Sequence, residues 1–139
     1  MEARRSPDSA VAGRDEFLAH VLELLARLGR VAARKMFGGY GLYCDGVFFG
    51  IVLDNTLYLK ADDRNRAEFE RAGSEIFSYS RKGKRATLNF YRAPEEAMDS
   101  PHLMLPWART ALSAGLRAQI RKPRGNRKIR PAGSRSPRR

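Results

Sequence analysis

The chain has 139 residues, is 42% hydrophobic and 30% charged, and carries 27 Lys and Arg against 15 Asp and Glu, a formal charge of +12. That length builds one core without disulfides or metals, and a single cysteine, Cys44, excludes an internal disulfide and fits a reducing compartment. No run approaches the ~20 apolar residues of a membrane span, and residues 6 to 16, SPDSAVAGRDE, lack a signal peptide's apolar region; a cytoplasmic protein without membrane contact is expected.

Residues 1–14 show no apolar periodicity and read as a flexible leader. From Asp15, Phe17, Val21, Leu24 and Leu28 recur at three- and four-residue steps, widened by Leu18, Leu22 and Leu25, which predicts an amphipathic helix ended by Gly29. Strand-like residues follow from Val31 to Phe37 and from Leu42 to Cys44, separated by Gly38-Gly39-Tyr40-Gly41. Asp45-Gly46 is a two-residue hairpin signal. The apolar run Val47 to Leu53, broken only by Gly50, predicts a central strand covered on both faces. Asp54-Asn55-Thr56 turns the chain into Leu57-Tyr58-Leu59-Lys60, which alternates as a half-exposed strand does.

Asp62 or Asp63 is placed to cap a short helix carrying Ala67, Phe69 and Ala72 and stopped by Gly73. Phe77 and Tyr79, then Leu88 and Phe90, alternate with polar residues on either side of Arg81-Lys82-Gly83-Lys84-Arg85, a second hairpin with a charged tip. Pro94 suits a brief helix through Met98, and Ser100-Pro101 a cap followed by a first helical position. Leu105, Ala108, Leu112 and Leu116 stripe a last helix to about Arg117, with Pro106 either within its first turns or marking a later start. Residues 119–139 hold only Ile120 and Ile129 as large aliphatics and read as a disordered tail. Ten cations follow Gly115 with no acid among them, leaving 17 cations against 15 anions before it, so the formal charge belongs mainly to the tail.

Few residues invite chemistry. The glycine-rich segment 38–41 lacks the Gly-Lys-Ser/Thr ending of a phosphate loop and the G-x-G-x-x-G of a dinucleotide fold. It reads instead as a tight bend or bulge, with Tyr40 available to a partner groove. His20 and His102 have no partners at metal spacing, and Cys44, in a strand with no C-x-x-C partner, reads as a small hydrophobe. Trp107 falls on the last helix's apolar stripe as a core anchor. No catalytic, cofactor-binding or metal-binding residue is expected. The candidates for partner contact are Tyr40, Tyr58 and the tip residues Arg81, Lys82, Lys84 and Arg85. Arg121, Lys122, Arg124, Arg127, Lys128 and Arg130 form an arm that could bind nucleic acid without sequence preference, by counterion release.

The stretch Lys35-Met36-Phe37-Gly38-Gly39-Tyr40-Gly41-Leu42-Tyr43, then Phe48-Phe49-Gly50 and Leu57-Tyr58-Leu59-Lys60, resembles the N-terminal domain of the TfoX/Sxy family. The likeness continues through Phe69, Ala72-Gly73, Phe77, Tyr79, Gly83-Lys84, Leu88 and Pro94-Glu95 to Trp107-Ala108, spanning residues 15–118. It implies an α+β two-layer sandwich, with a mostly antiparallel sheet of about five or six strands and helices at both ends of the chain, similar to secretion-chaperone folds. It also implies a non-enzymatic regulator resembling competence transcriptional coactivators, whose protein partner belongs to the transcription machinery or is an activator. Full competence regulators of this family continue into a helical C-terminal domain, where this chain has its basic tail. Two other readings stand beside the regulator: a chaperone-like dimer, suggested by fold analogy and separated from a monomer by solution mass, and an enzyme using Cys44 or exposed tyrosines.

Overall fold

Three two-residue turns organise the sheet. The computed structural model describes residues 9–36 and 38–121, with side chains from residue 16 onward. At Asp45-Gly46, Asp54-Asn55 and Lys82-Gly83 both central residues have positive φ, between 52° and 79°. That is the primed turn whose twist matches paired strands. The first joins β2 (Gly39–Cys44) to β3 (Val47–Leu53), the second β3 to β4 (Thr56–Lys60), and the third β5 (Ile76–Arg81) to β6 (Lys84–Arg92). With β1 (Val31–Met36) they form one six-stranded sheet in the order β1-β2-β3-β4-β6-β5. Every neighbouring pair is antiparallel.

Helices α1 (Ser9–Leu24), α2 (Arg66–Arg71) and α3 (Pro101–Arg121), with a 3₁₀ turn at Glu95–Asp99, complete the described fold. They contribute to one core: Val21, Leu24 and Leu25 beside α1, Phe69 of α2, and Met104, Ala108 and Ala111 of α3 meet Leu42, Phe49, Val52, Leu57, Leu59 and Tyr91 of the sheet. The α+β architecture, with an antiparallel sheet and helices at both ends of the chain, is the expected one. Phe69 lies between the rings of Tyr91, stacked at 5.4 Å, and Trp107, at 5.2 Å, so the tryptophan anchors α3 on α2 and the sheet.

Boundaries differ from expectation in several places: helix α1 ends at Leu24, short of Gly29, and β2 starts at Gly39, so Gly39, Tyr40 and Gly41, expected in a bend or bulge, are strand residues. Helix α1 begins at Ser9, six residues before Asp15. Ala10, Ala12 and Arg14 are good helix formers, and a helix already nucleated elongates at one hydrogen bond per residue fixed. Helix α2 is preceded by Asn65, not by a capping Asp62 or Asp63, and Asn65 makes no capping bond. Its side chain is buried and committed elsewhere, accepting from the Asp62 N–H at 2.7 Å and donating to the carbonyls of Lys60 and Thr110. Helix α3 runs to Arg121, beyond the expected end near Arg117, since Ala118, Gln119 and Arg121 favour helix and Gln119 donates to the Gly46 carbonyl at 3.4 Å. Of its two expected starts the earlier is the one formed: the Ser100 hydroxyl accepts from the Leu103 N–H at 3.2 Å, Pro101 is first in the helix, and Pro106 lies within its second turn. The first eight residues of the expected leader, Phe37 and the tail from Lys122 onward lie outside the described residues.

Candidate functional site

The helices leave one sheet face to side chains alone. In β3, Phe49 has no register partner, because Tyr43 pairs with Phe48 and Leu42 with Gly50. This bulge keeps Phe49 in the helix-side core while Phe48 and Ile51 both join the opposite face. There, Ile51, Phe77 and Phe90 form a second cluster, with Phe48, Leu53 and Tyr58 packed on it. Its rings are in series: Tyr43 lies 5.2 Å from Phe48, Phe48 5.3 Å from Phe90, Tyr58 4.8 Å from Phe77, and Phe77 6.1 Å from Tyr79. Tyr43, Phe48 and Tyr58 stay partly exposed, and Tyr79 is 37% exposed.

Cations stand among these rings. The Arg34 guanidinium lies 4.9 Å from the centre of the Tyr43 ring, and Lys60 Nζ lies 4.9 Å from Phe90 and 6.0 Å from Phe48. Arg92 is the register partner of Tyr58 and so shares its face. At the hairpin tip Arg81, Lys82, Lys84 and Arg85 are all exposed, and Arg85 donates to the Ser78 hydroxyl at 2.8 Å. None of the six strands contains an Asp or Glu, so among the described residues every acid lies in a helix, a turn or a loop. A shallow groove of about 230 Å³, lined by Tyr43, Phe48, Lys60, Gly115 and Gln119 among others, joins this face to the last turns of α3.

The expected contact residues divide between the two faces. Tyr40 packs against the helix-side core, whereas Tyr58 and Phe77 meet on the opposite face. The tip closes the β5–β6 hairpin, whose strands also carry Phe77, Tyr79 and Phe90. Of the arm residues, Arg121 ends α3; Lys122, Arg124, Arg127, Lys128 and Arg130 lie outside the described residues. Arg34, Tyr43, Phe48, Lys60 and Arg92 were not singled out by sequence reasoning. The signal that finds them is the absence of acids from every strand, readable only once strand limits are known.

The glycine-rich segment is a packing device. A Cβ on Gly39 would fall on the Val52 carbonyl oxygen, and one on Gly41 would lie 2.6 Å from Met36 Sδ and 3.2 Å from the Phe48 ring. The segment leads into a strand, so no helix N-terminus points at it. Cys44 is buried in the helix-side core, and both burial and the neighbouring Asp45 charge push its thiol pKa up, opposite to the activation of a nucleophile. His20 and His102 are exposed, and no cluster of three His, Cys, Asp or Glu suited to a metal occurs among the described residues. No described helix is long and apolar enough to cross a membrane.

Fold and surface together define a small α+β domain, with a helical layer on one side of the sheet and a cationic, aromatic face on the other. The chain belongs to the TfoX N-terminal domain family, which it matches over residues 23–115. It is similar to the DNA transformation protein TfoX1 of Aliivibrio fischeri, at 32% identity over 105 residues covering 75% of this chain and 50% of that protein. It is also similar to Protein Sxy of Escherichia coli, at 30% identity over 95 residues covering 68% of this chain and 46% of that protein. The chain thus spans about half the length of these relatives.

Proposed function

We propose that this protein is a cytoplasmic, non-enzymatic regulatory module for DNA transformation, acting by binding macromolecules through the helix-free sheet face. The observation that carries this reading is that face: partly exposed rings interleaved with Arg34, Lys60 and Arg92, with no acid in any strand. The relative named as a DNA transformation protein supports the process. The raised thiol pKa of the buried Cys44 supports regulation by contact over covalent chemistry. It acts beside the transcription machinery or an activator bound to DNA. The basic residues after Gly115 add affinity for nucleic acid without reading its sequence. Deleting the gene from its host and comparing transformation frequency and transcript profile tests the role: both fall or shift if it is a regulator, and unchanged values of both overturn it. For the arm, removing residues 122–139 should flatten the dependence of duplex DNA binding on salt, whose slope is about −0.9 in log K per log salt for each phosphate neutralised. An unchanged slope overturns the arm's role.

A further inference from the structure

We infer that the helix-free sheet face is a binding site for single-stranded nucleic acid; the inference rests on reading that face as a docking surface and names its ligand. Two properties select this ligand. The strands bear cations and no acids, which suits a polyanion. The same face presents rings from adjacent strands, Tyr43, Phe48, Tyr58 and Tyr79, and flat rings interact with unpaired bases. A duplex keeps its bases stacked inside and offers this surface only phosphates. The described helices, which could enter a groove, pack on the other side of the sheet, and only the last turns of α3 border this face, at the groove beside Tyr43, Phe48 and Lys60. An acidic peptide would satisfy the cations but leave the rings without planar partners.

The spacing fits a strand crossing the sheet. Arg34 and Tyr43 stand on β1 and β2, Phe48 and Lys60 on β3 and β4, and Arg92 and Tyr79 on β6 and β5. Neighbouring strands lie about 4.8 Å apart, so a short oligonucleotide laid across this face meets a cation and a ring toward each edge of the sheet. Lys60, between Phe48 and Phe90, is the central cation. The charged hairpin tip extends the track past Tyr79.

Titrating the full-length, ¹⁵N-labelled protein with a fifteen-nucleotide oligo(dT), followed by amide chemical shifts, tests this. Shifts are expected at Tyr43, Phe48, Lys60 and Tyr79 while α1 and α2 stay still. Oligo(dT) should bind more tightly than a duplex of equal length at matched salt. Tyr79→Ala and Lys60→Gln should each weaken oligo(dT) about tenfold. If Lys60→Gln unfolds the protein, Tyr79→Leu, which keeps apolar bulk at an exposed site, decides by the same loss. Shifts confined to residues beyond Arg121 would overturn the inference, leaving the tail to capture the strand. Shifts on the sheet with poly-glutamate but not with oligo(dT) would also overturn it, while keeping the face as a surface for an acidic protein. Failure of both probes to move the sheet would overturn the docking surface as well.

Discussion

Asp62 is the residue that ties the loop after β4 to the last helix. Its carboxylate accepts from Arg117 Nε at 2.7 Å and Nη2 at 2.9 Å, a bidentate pair, and from the Arg64 N–H at 3.0 Å. These bonds, the Arg117 pair foremost, hold its pKa at about 2, below the ordinary 3.8. A depressed carboxylate contributes stability that is present above its unfolded pKa and lost as pH falls through the folded one. Asp62→Asn should therefore cost about 1–2 kcal/mol at pH 7. Denaturant titrations at pH 7 and near pH 2 should show the gap from wild type closing between about pH 4 and 2. An equal gap at both pH values would locate the pair's contribution elsewhere. Cys44 is the opposite case, a thiol whose burial and acidic neighbour favour the neutral form. In the native protein it should react with a disulfide reagent only at the rate of unfolding, and fast native labelling would revive a reactive-thiol reading.

At the scale of elements, α3 meets the sheet through its smallest side chains. A Cβ on Gly115 would lie 2.6 Å from the Phe48 carbonyl oxygen and 2.8 Å from Val47. Gly115→Ala should destabilise by about 1–3 kcal/mol even though alanine gains about 1 kcal/mol in helix propensity. Thermal melts would measure it, and a more stable variant would mean the helix can lift away without cost. Phe69→Ala removes a fully buried ring lying between Tyr91 and Trp107 and should cost about 3–5 kcal/mol by denaturant titration. The hairpins were legible because Asp-Gly and Asp-Asn turns need positive φ and declare themselves locally. The faces of β3 were not, since seven consecutive residues broken by one glycine contain no alternation to read, and the bulge at Phe49 exists only against the register of β2. For the same reason the sequence could not show that Tyr40 and Tyr58, both candidates for partner contact, stand on opposite faces.

Among the described residues, the strands carry charge of one sign only. Composition made the portion before the tail look nearly neutral, because counting sets every acid against every cation; the fold shows that the strands hold no acid, whereas the described helices and loops carry both signs, with Arg66, Arg71 and Arg109 among their cations. The described acids of α1, α2 and the 3₁₀ turn, among them Glu23, Glu68 and Glu95, belong to the helical side, while Arg34, Lys60 and Arg92 share the other face. A sheet face that bears Arg34, Lys60 and Arg92 and no strand acid holds a local positive field in front of its rings. That field draws a polyanion toward the aromatic face before contact, so orientation is part of the approach rather than of a later search. Such guided encounters quicken as salt is withdrawn, and stopped-flow association rates at low and physiological ionic strength would record how much of the alignment precedes touch.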